Sequence, residues 1–307
     1  MNKNISVIIV TYNSEKHIYD CLDSIFKYND IGDALEVIIV DNQSKNFSKT
    51  KKCLLEKYSG NLVIVENERN GGYGQGNNVG IKVAKAPIIM IMNPDVRLVE
   101  PLFKVVTEAF ESPRVIQYGV KSLDKDGKIS SSMGVVTHIN PIVSIPLFSI
   151  CNRNGWFLQK YMYLIGACFF VRKSSFEEIG LFDERIFMYG EEDDIHYRLL
   201  QKHKDGIILY NHNLSYIHLH GLYSSPKKWD DFSEDRLVLS GTLRRLSERG
   251  LSRKKVLMHE LTFARIKLFS AKMKYLFRKN SGTRDYIQHK QLWIKELQSQ
   301  ICQLNNL

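Results

Sequence analysis

Short runs of β-branched apolar residues punctuate the first hundred positions, separated by stretches of mixed polarity. Residues 5–10 (Ile-Ser-Val-Ile-Ile-Val) and 35–40 (Leu-Glu-Val-Ile-Ile-Val) are nearly continuous apolar blocks, the pattern of strands buried on both faces. Residues 62–66 and 88–92 repeat it. Between these blocks, residues 15–28 and 47–58 read as helices, with Ser14 placed to cap the first. A glycine-rich turn over residues 70–78 opens a further short helix. Strands alternating with helices predict βαβ units, hence an α/β fold with a doubly wound, mainly parallel sheet flanked by helices. Ligands of such sheets lie beyond the carboxyl ends of the strands. Tyr12, Asp41 and Asp95 stand at such ends in this chain.

Further along, the pattern changes. Residues 129–152 contain no Asp, Glu, Lys or Arg, and Pro141 and Pro146 interrupt any helix there. This predicts a loop packed on the domain, or a flap near a hydrophobic acceptor or a membrane surface. Residues 163–171 read as one more core strand, and Ser174 or Ser175 as the cap of a short helix ending near Gly180. Residues 193–203 read as a helix with an acidic start. From about residue 231 to 300 the chain reads as helices rich in Lys and Arg. There Val256, Leu257, Leu261, Ala264, Leu268, Ala271 and Met273 recur at helical spacing among Lys254, Lys255, Arg265, Lys267, Lys272, Lys274, Arg278 and Lys279. A basic amphipathic helix of this kind packs on its own domain or a second subunit, or lies on an anionic bilayer.

At 307 residues the chain is long enough for one large domain or a domain with a helical extension. The 43 basic and 33 acidic side chains leave a formal charge of +10, which favours an acidic or phosphorylated partner. The five cysteines are scattered without CxxC spacing, so neither a zinc site nor a disulfide framework is expected. Residues 1–4 run straight into the first strand, leaving no room for a signal peptide, and no apolar run reaches the roughly 20 residues of a spanning helix. A cytoplasmic protein, soluble or peripheral on the membrane, is expected.

Two acidic groups carry the candidate chemistry. Asn93-Pro94-Asp95 closes an apolar strand, which projects the Asp95 carboxylate into the binding crevice as a ligand for Mg²⁺ or Mn²⁺. About a hundred residues later, Glu191, Glu192, Asp193 and Asp194 crowd together, and like charges poise one of them as a base. His218 and His220, two apart on an expected strand, point the same way and can ligate a metal or bind phosphate. Asp41 can accept a hydrogen bond from a pyrimidine N–H, and Tyr12 can pack on a base or ribose. Gly71-Gly72-Tyr73-Gly74-Gln75-Gly76 permits close backbone approach to a ligand. It is not the dinucleotide fingerprint, because the first βα turn, Thr11-Tyr12-Asn13-Ser14, has no glycine; a nicotinamide cofactor is not expected.

Over about residues 4–225 the chain resembles the family 2 glycosyltransferases of GT-A fold, especially the rhamnosyltransferase-like group that builds bacterial surface polysaccharides. The resemblance rests on Ser6-Val-Ile-Ile-Val-Thr-Tyr-Asn13, Val40-Asp-Asn-Gln-Ser44, Asn70-Gly-Gly72 with Asn77-Asn78, Asn93-Pro-Asp95, Gly166-Ala167, Phe187-Met-Tyr-Gly-Glu-Glu-Asp-Asp194 with Arg198, and His218 with Gly221. It implies a nucleotide-diphosphate sugar donor (a dTDP- or UDP-sugar), a divalent metal, Mn²⁺ or Mg²⁺, and inversion at the anomeric carbon. Thr11, Tyr12, Asn13 and Asp41 would hold the nucleoside, with Asn70, Gly71, Gly72, Asn77 and Asn93 also lining the donor. Asp95 would ligate the metal, with His218 or His220. Glu192 matches the base position, supported by Glu191 and Asp194, and Arg198 would neutralise the acidic helix. Two departures stand out: the metal motif is Asn-Pro-Asp rather than Asp-x-Asp, and the base position holds Glu where the family more often has Asp. The choice between Glu191 and Glu192 is therefore open.

The expected domains are a GT-A catalytic domain over 1–228, with nucleotide-sugar binding in about 1–100 and the acceptor part in about 101–228, and a basic helical extension over 229–307. The implied acceptor is a glycan or lipid-linked glycan, with peripheral contact at the inner membrane leaflet and tail-mediated homodimerisation as further partner expectations. Two rivals are a sugar nucleotidyltransferase and a non-catalytic sugar-nucleotide or nucleic-acid binder. The first requires a glycine-rich Arg/Lys loop after strand one, which Thr11-Tyr-Asn-Ser-Glu15 is not. The second lacks any nucleic-acid motif, so no nucleic acid is expected.

Overall fold

The computed structural model describes residues 3–58, 62–136, 139–219, 232–277 and 279–305. The chain begins β1 (Ile5–Thr11), α1 (Glu15–Lys27), β2 (Leu35–Asp41), α2 (Phe47–Lys57), β3 (Leu62–Glu66), α3 (Gly72–Val83), β4 (Ile88–Met92), β5 (Val96–Leu98) and α4 (Phe103–Ala109). It continues with β6 (Val115–Leu123), β7 (Met133–Val135), α5 (Pro141–Asn154), β8 (Met162–Leu164), β9 (Cys168–Arg172), α6 (Lys173–Glu178), α7 (Glu191–Lys202) and β10 (Ile207–His218). Three helices follow: α8 (Ser233–Glu248), α9 (Arg253–Phe277) and α10 (Ser281–Asn305).

Two compact units result, Met1–Gly134 with Cys151–Leu222, and Val135–Ile150 with Tyr223–Leu307. Residues 135–150 thus group with the C-terminal helices, whereas the sequence pattern assigned them to the catalytic domain.

The first unit is built on an eight-stranded sheet in the order β3-β2-β1-β4-β9-β6-β10-β5. The run β3-β2-β1-β4 is parallel, as the doubly wound pattern requires. β9 then enters antiparallel to both β4 and β6, and β5 pairs antiparallel with β10. The β1, β2 and β4 side chains are buried almost throughout, which explains their unbroken apolar sequence. One face of the sheet packs under α1, where Ile18, Cys21, Leu22 and Ile25 recur on one side of the helix. The other face packs under α3, α6 and α7 through Ile8, Ile38, Val40, Ile81, Phe176, Ile195 and Leu199.

α3 approaches the sheet so closely because its inward side is glycine. A Cβ on Gly80 would lie 2.5 Å from the Ile8 side chain, and one on Gly72 would lie 2.1 Å from the Phe187 carbonyl oxygen. Gly72 also has φ +87°, a left-handed conformation that only glycine adopts freely. The glycine-rich segment therefore serves close packing of the protein on itself, not only the ligand approach expected for it.

Four local expectations change. Ser14 occupies the N-cap position of α1, but its hydroxyl turns back to the Tyr12 carbonyl (3.2 Å) and makes no cap bond. Ser174 and Ser175 lie inside α6, whose N-cap position is Arg172. Residues 141–154 form α5 rather than a loop. Pro141 is tolerated at its first position, where an N–H has no helical partner, and the Asn140 Oδ1 accepts the Ile142 N–H (3.0 Å). Pro146 sits inside the helix and removes one further backbone donor. Finally, the apolar run 163–171 is not one strand. It divides into β8, which pairs with β7 in a separate small sheet, and β9, which enters the main sheet.

In the second unit, α8, α9 and α10 bury Leu239, Leu257, Leu261, Ala264, Trp293, Leu297 and Ile301 together. Of the apolar positions expected on α9, Val256, Leu257, Leu261, Ala264 and Ala271 are buried, whereas Met273 is exposed. Asp235 ties α8 to α10: Lys290 Nζ donates to its Oδ1 (3.0 Å), and the buried His289 Nε2 lies 3.0 Å from its Oδ2. Burial opposes ionisation of Asp235, but the Lys290 ammonium and His289 outweigh it and hold the carboxyl below the usual aspartate value. Among the described residues, no helix is long and apolar enough to cross a membrane.

Two outcomes are expected. Gly72→Ala forces a left-handed alanine into a backbone oxygen and should destabilise the sheet unit by at least about 3 kcal/mol, measured as a urea midpoint shift. A depressed carboxyl stabilises the fold above its unfolded-state pKa, and that contribution is lost as pH falls through the depressed folded value. Asp235→Asn should therefore cost about 3 kcal/mol at neutral pH. It should also remove part of the acid-side fall in melting temperature, both read by circular dichroism at 222 nm.

Candidate active site

The carboxyl ends of β1, β2 and β4 converge on one edge of the sheet, and a polar network fixes them. The Thr11 hydroxyl donates to Asp41 Oδ1 (3.1 Å), and Ser44 donates its hydroxyl to Oδ1 (2.5 Å) and its N–H to Oδ2 (2.9 Å). Thr11 and Asp41 are buried, so both are committed first to joining the strand ends. Tyr12 is 53% exposed at the same edge, with its ring available to a ligand. Asn13 follows at φ +51°, its N–H donating to Ser44 Oγ (2.7 Å) and its Oδ1 accepting the Lys45 N–H (3.1 Å).

Amides bind this edge to α3. Asn42 Nδ2 donates to the Gly72 carbonyl (3.0 Å), and Asn67 Nδ2 donates to Asn42 Oδ1 (2.8 Å) and Gln75 Oε1 (2.6 Å). Asn70 Oδ1 accepts the Gly72 N–H (3.1 Å), which shapes the turn before the helix. Asn77 is fully buried and donates back to the Tyr73 carbonyl of its own helix (2.9 Å). Neither Gly72 nor Asn77 is open to a donor, while Tyr12 and Asn13 are.

Asp95 lies just beyond β4 in a turn closed by the Val96 N–H on the Asn93 carbonyl (3.1 Å). The antiparallel pairing of β5 with β10 sets His218 opposite Val96, and the Leu219 N–H donates to the Asp95 carbonyl (3.0 Å). His218 Nε2 is thereby brought 3.3 Å from Asp95 Oδ1. Burial pushes the Asp95 carboxyl up, but the His218 hydrogen bond and charge prevail, with help from His17, and it lies below the usual range. His17, on the first turn of α1, lies within range of the Asp95 charge; burial lowers its pKa, while the charge of Asp95 opposes that shift. His17 was not anticipated, although its place just past the first strand end, beside Tyr12, is a usable signal. His220 lies outside the described residues.

Among the described residues no three His, Cys, Asp or Glu side chains gather as a complete metal site. Asp95 and His218 offer one carboxylate and one imidazole, partly exposed and 3.3 Å apart. That donor set fits a hard cation that keeps several ligand positions for waters and substrate phosphates.

α7 begins after Gly190, which takes φ +95°, and its first turn holds all four acidic residues. Their surroundings differ sharply. Glu191, Asp193 and Asp194 are 3%, 1% and 8% exposed, whereas Glu192 is only half-buried. Asp194 Oδ2 accepts from Arg198 Nε (2.8 Å) and Nη2 (2.6 Å), while Arg198 Nη1 donates to the Ile179 carbonyl (2.6 Å). Asp194 is thus an internal ion pair that anchors the helix start. Glu192 Oε1 accepts the Gly166 N–H (3.1 Å). Gly166 lies in the break between β8 and β9, and the next residue, Ala167, accepts the Asn93 N–H (2.9 Å). The Asp95 turn and Glu192 are therefore attached to adjacent residues of one short segment. The break in the apolar run has its cause here, since Gly166 spends its N–H on Glu192 and its carbonyl on Tyr73 instead of on a strand ladder.

The family model for Glycosyl transferase family 2 matches residues 6–180. A low-salt glycan biosynthesis hexosyltransferase of Haloferax volcanii is 26% identical over 213 residues, covering 64% of this chain and 62% of its own length. An N-acetylglucosaminyl-diphospho-decaprenol L-rhamnosyltransferase of Mycobacterium tuberculosis is 26% identical over 223 residues, covering 65% of this chain and 71% of its own. Among solved structures, a mannosyltransferase from Pyrobaculum calidifontis in complex with GDP-Man and Mn²⁺ superposes with a TM-score of 0.53 at 16% identity, over 96% of this chain and 70% of the other. That likeness supports the same α/β fold with a mainly parallel sheet. With the family match covering more than half of the chain, this protein belongs to glycosyl transferase family 2.

Proposed function

We infer that the chain is an inverting, metal-assisted glycosyltransferase that moves a sugar from a nucleotide-diphosphate donor to a glycan or lipid-linked glycan of the cell surface. The observation that carries this reading is that Glu192 alone among four clustered acids is partly exposed, while it accepts the Gly166 N–H beside the Asp95 turn. Glu192 is the group in reach of an acceptor hydroxyl, which favours it over Glu191 as the base.

In the proposed reaction Glu192 takes the proton of the acceptor hydroxyl. The oxygen forms its bond to the anomeric carbon from the face opposite the diphosphate. The anomeric C–O bond breaks, and its electron pair leaves on the nucleoside diphosphate. Asp95 and His218 would hold a divalent cation, which supplies charge neutralisation to the diphosphate when bound. Tyr12 and Asn13 would face the nucleoside, with Asp41 and Thr11 setting the strand end that carries them. Arg198 pairs with Asp194 and so anchors the start of α7.

A dTDP- or UDP-sugar is the donor class this reading takes, the rhamnosyltransferase among the relatives favouring a deoxyhexose. Contact with an anionic membrane surface is supported by α9, where Phe269, Leu276 and Phe277 are 67%, 68% and 82% exposed beside Lys272 and Lys274, with Lys279 just past the helix end.

Glu192→Gln should lower kcat on the order of 10³-fold while donor affinity is retained. Full turnover in that variant would refute the assignment of the base. In a melting-temperature panel of UDP-, dTDP- and GDP-sugars with and without Mn²⁺, one nucleotide class should raise Tm by about 5 °C at saturating donor, only with metal. Asp95→Ala should abolish that metal-dependent shift; its persistence would remove Asp95 from the metal site.

A further inference from the structure

Tyr73 is the second residue of α3, and the proposed chemistry makes no use of it. Its ring stands edge-on to Phe182, with centroids 5.7 Å apart and planes at 85°. Its N–H donates to the Phe187 carbonyl (3.0 Å), in the segment that leads into α7. Its carbonyl accepts from the buried Asn77 Nδ2 (2.9 Å). Its hydroxyl donates to the Gly166 carbonyl over 2.5 Å. Gly166 in turn gives its own N–H to Glu192 Oε1. A Cβ at Gly166 would lie 2.6 Å from that same oxygen, so the glycine and the carboxylate are in close register.

We propose that Tyr73 is a positioning residue for Glu192: its hydroxyl clamps the Gly166 backbone from the carbonyl side, so that the Gly166 N–H is aimed at the carboxylate. Gly166 has no side chain to anchor it; its neighbours are tied by the Ile165 N–H to the Ser132 carbonyl (3.2 Å) and by the Ala167 carbonyl to the Asn93 N–H (2.9 Å), so the Tyr73 hydroxyl adds the hold on the one residue between them, whose φ and ψ set where its own N–H points. The hydroxyl suits the task because burial first, and then the neighbouring charges of Glu192 and Glu191, push its pKa well above the ordinary tyrosine value. It stays a neutral donor throughout the working pH range. The glycine-rich helix thereby bears on catalysis by placing one donor, and not only by packing. The effect on turnover rests on the reading of Glu192 as the base.

Tyr73→Phe removes only the O–H and keeps the ring against Phe182. The first readout needs no ligand. In protein labelled with ¹³C at the glutamate side-chain carboxyl, the Glu192 signal is identified by its loss in Glu192→Gln, and its titration is followed in wild type and Tyr73→Phe. A weakened Gly166 N–H bond stabilises the carboxylate less, so the Glu192 midpoint should move upward by about half a pH unit. The second readout is kcat with the nucleotide sugar that the melting panel selects. Tyr73→Phe should lose roughly 10-fold in kcat at unchanged donor KM. Added to Glu192→Gln, it should cost nothing further, because both act through one group. An unchanged Glu192 titration in Tyr73→Phe overturns the proposal. So does an equal further loss in the double variant, which marks a structural effect only. Should Glu192→Gln be fully active while its midpoint still moves in Tyr73→Phe, the clamp stands and the assignment of the base fails.

Discussion

The antiparallel entry of β9 beside β4 is the constraint on which the site depends. That register sets Met92 opposite Cys168, and so carries the residues just beyond, Asn93 and Ala167, into contact at the sheet edge. Gly166, one residue further, reaches Glu192 from its N–H and Tyr73 from its carbonyl. One strand pairing therefore locates the Asp95 turn, the start of α7 and the start of α3 relative to one another. β5 and β10 then add His218 by the same means, a register that leaves an imidazole facing a carboxylate. Backbone hydrogen bonds do this economically, since a register shift of one residue would turn every side chain to the other face.

Charge is managed by sorting rather than by dilution. Four carboxylates in one helical turn repel, yet the positive end of the helix dipole and Arg198 favour them there. Folding then assigns them different surroundings: Asp194 to an ion pair, Glu191 and Asp193 to the interior, and Glu192 to a partly exposed position that accepts the Gly166 N–H. Four residues equivalent in composition thus become chemically distinct through position alone. Asp95 shows the converse case, in which a partly buried acid stays ionised because a histidine faces it.

The glycines of α3 illustrate a second exchange. A helix with bulky residues on its inner side would stand away from the sheet. With Gly72, Gly76 and Gly80 it lies against Phe187, Asn42 and Ile8. The entropic cost of glycine in a helix, about 1 kcal/mol each, is offset by dense packing and by the buried amides of Asn42, Asn67 and Gln75. Tyr73, between two of these glycines, is thereby brought within reach of Gly166.

The strands of the parallel half, the helices between them and the helical C-terminal region were all legible in the sequence, because burial on two faces or one leaves a periodic apolar record. The residues at strand ends, Tyr12, Asp41 and Asp95, followed from the topology of such sheets. What the sequence left open was every feature decided by long-range pairing. Periodicity cannot show that an apolar run breaks at Gly166, that Pro141 and Pro146 sit in a helix whose first part groups with the C-terminal unit, or that the charge of His17 acts with that of His218 on Asp95. Nor could composition separate Glu192 from Glu191, since both lie in one acidic tetrad. Only the tertiary structure distinguishes them, because solvent access and an N–H from a residue 26 positions away are properties of packing, not of local sequence.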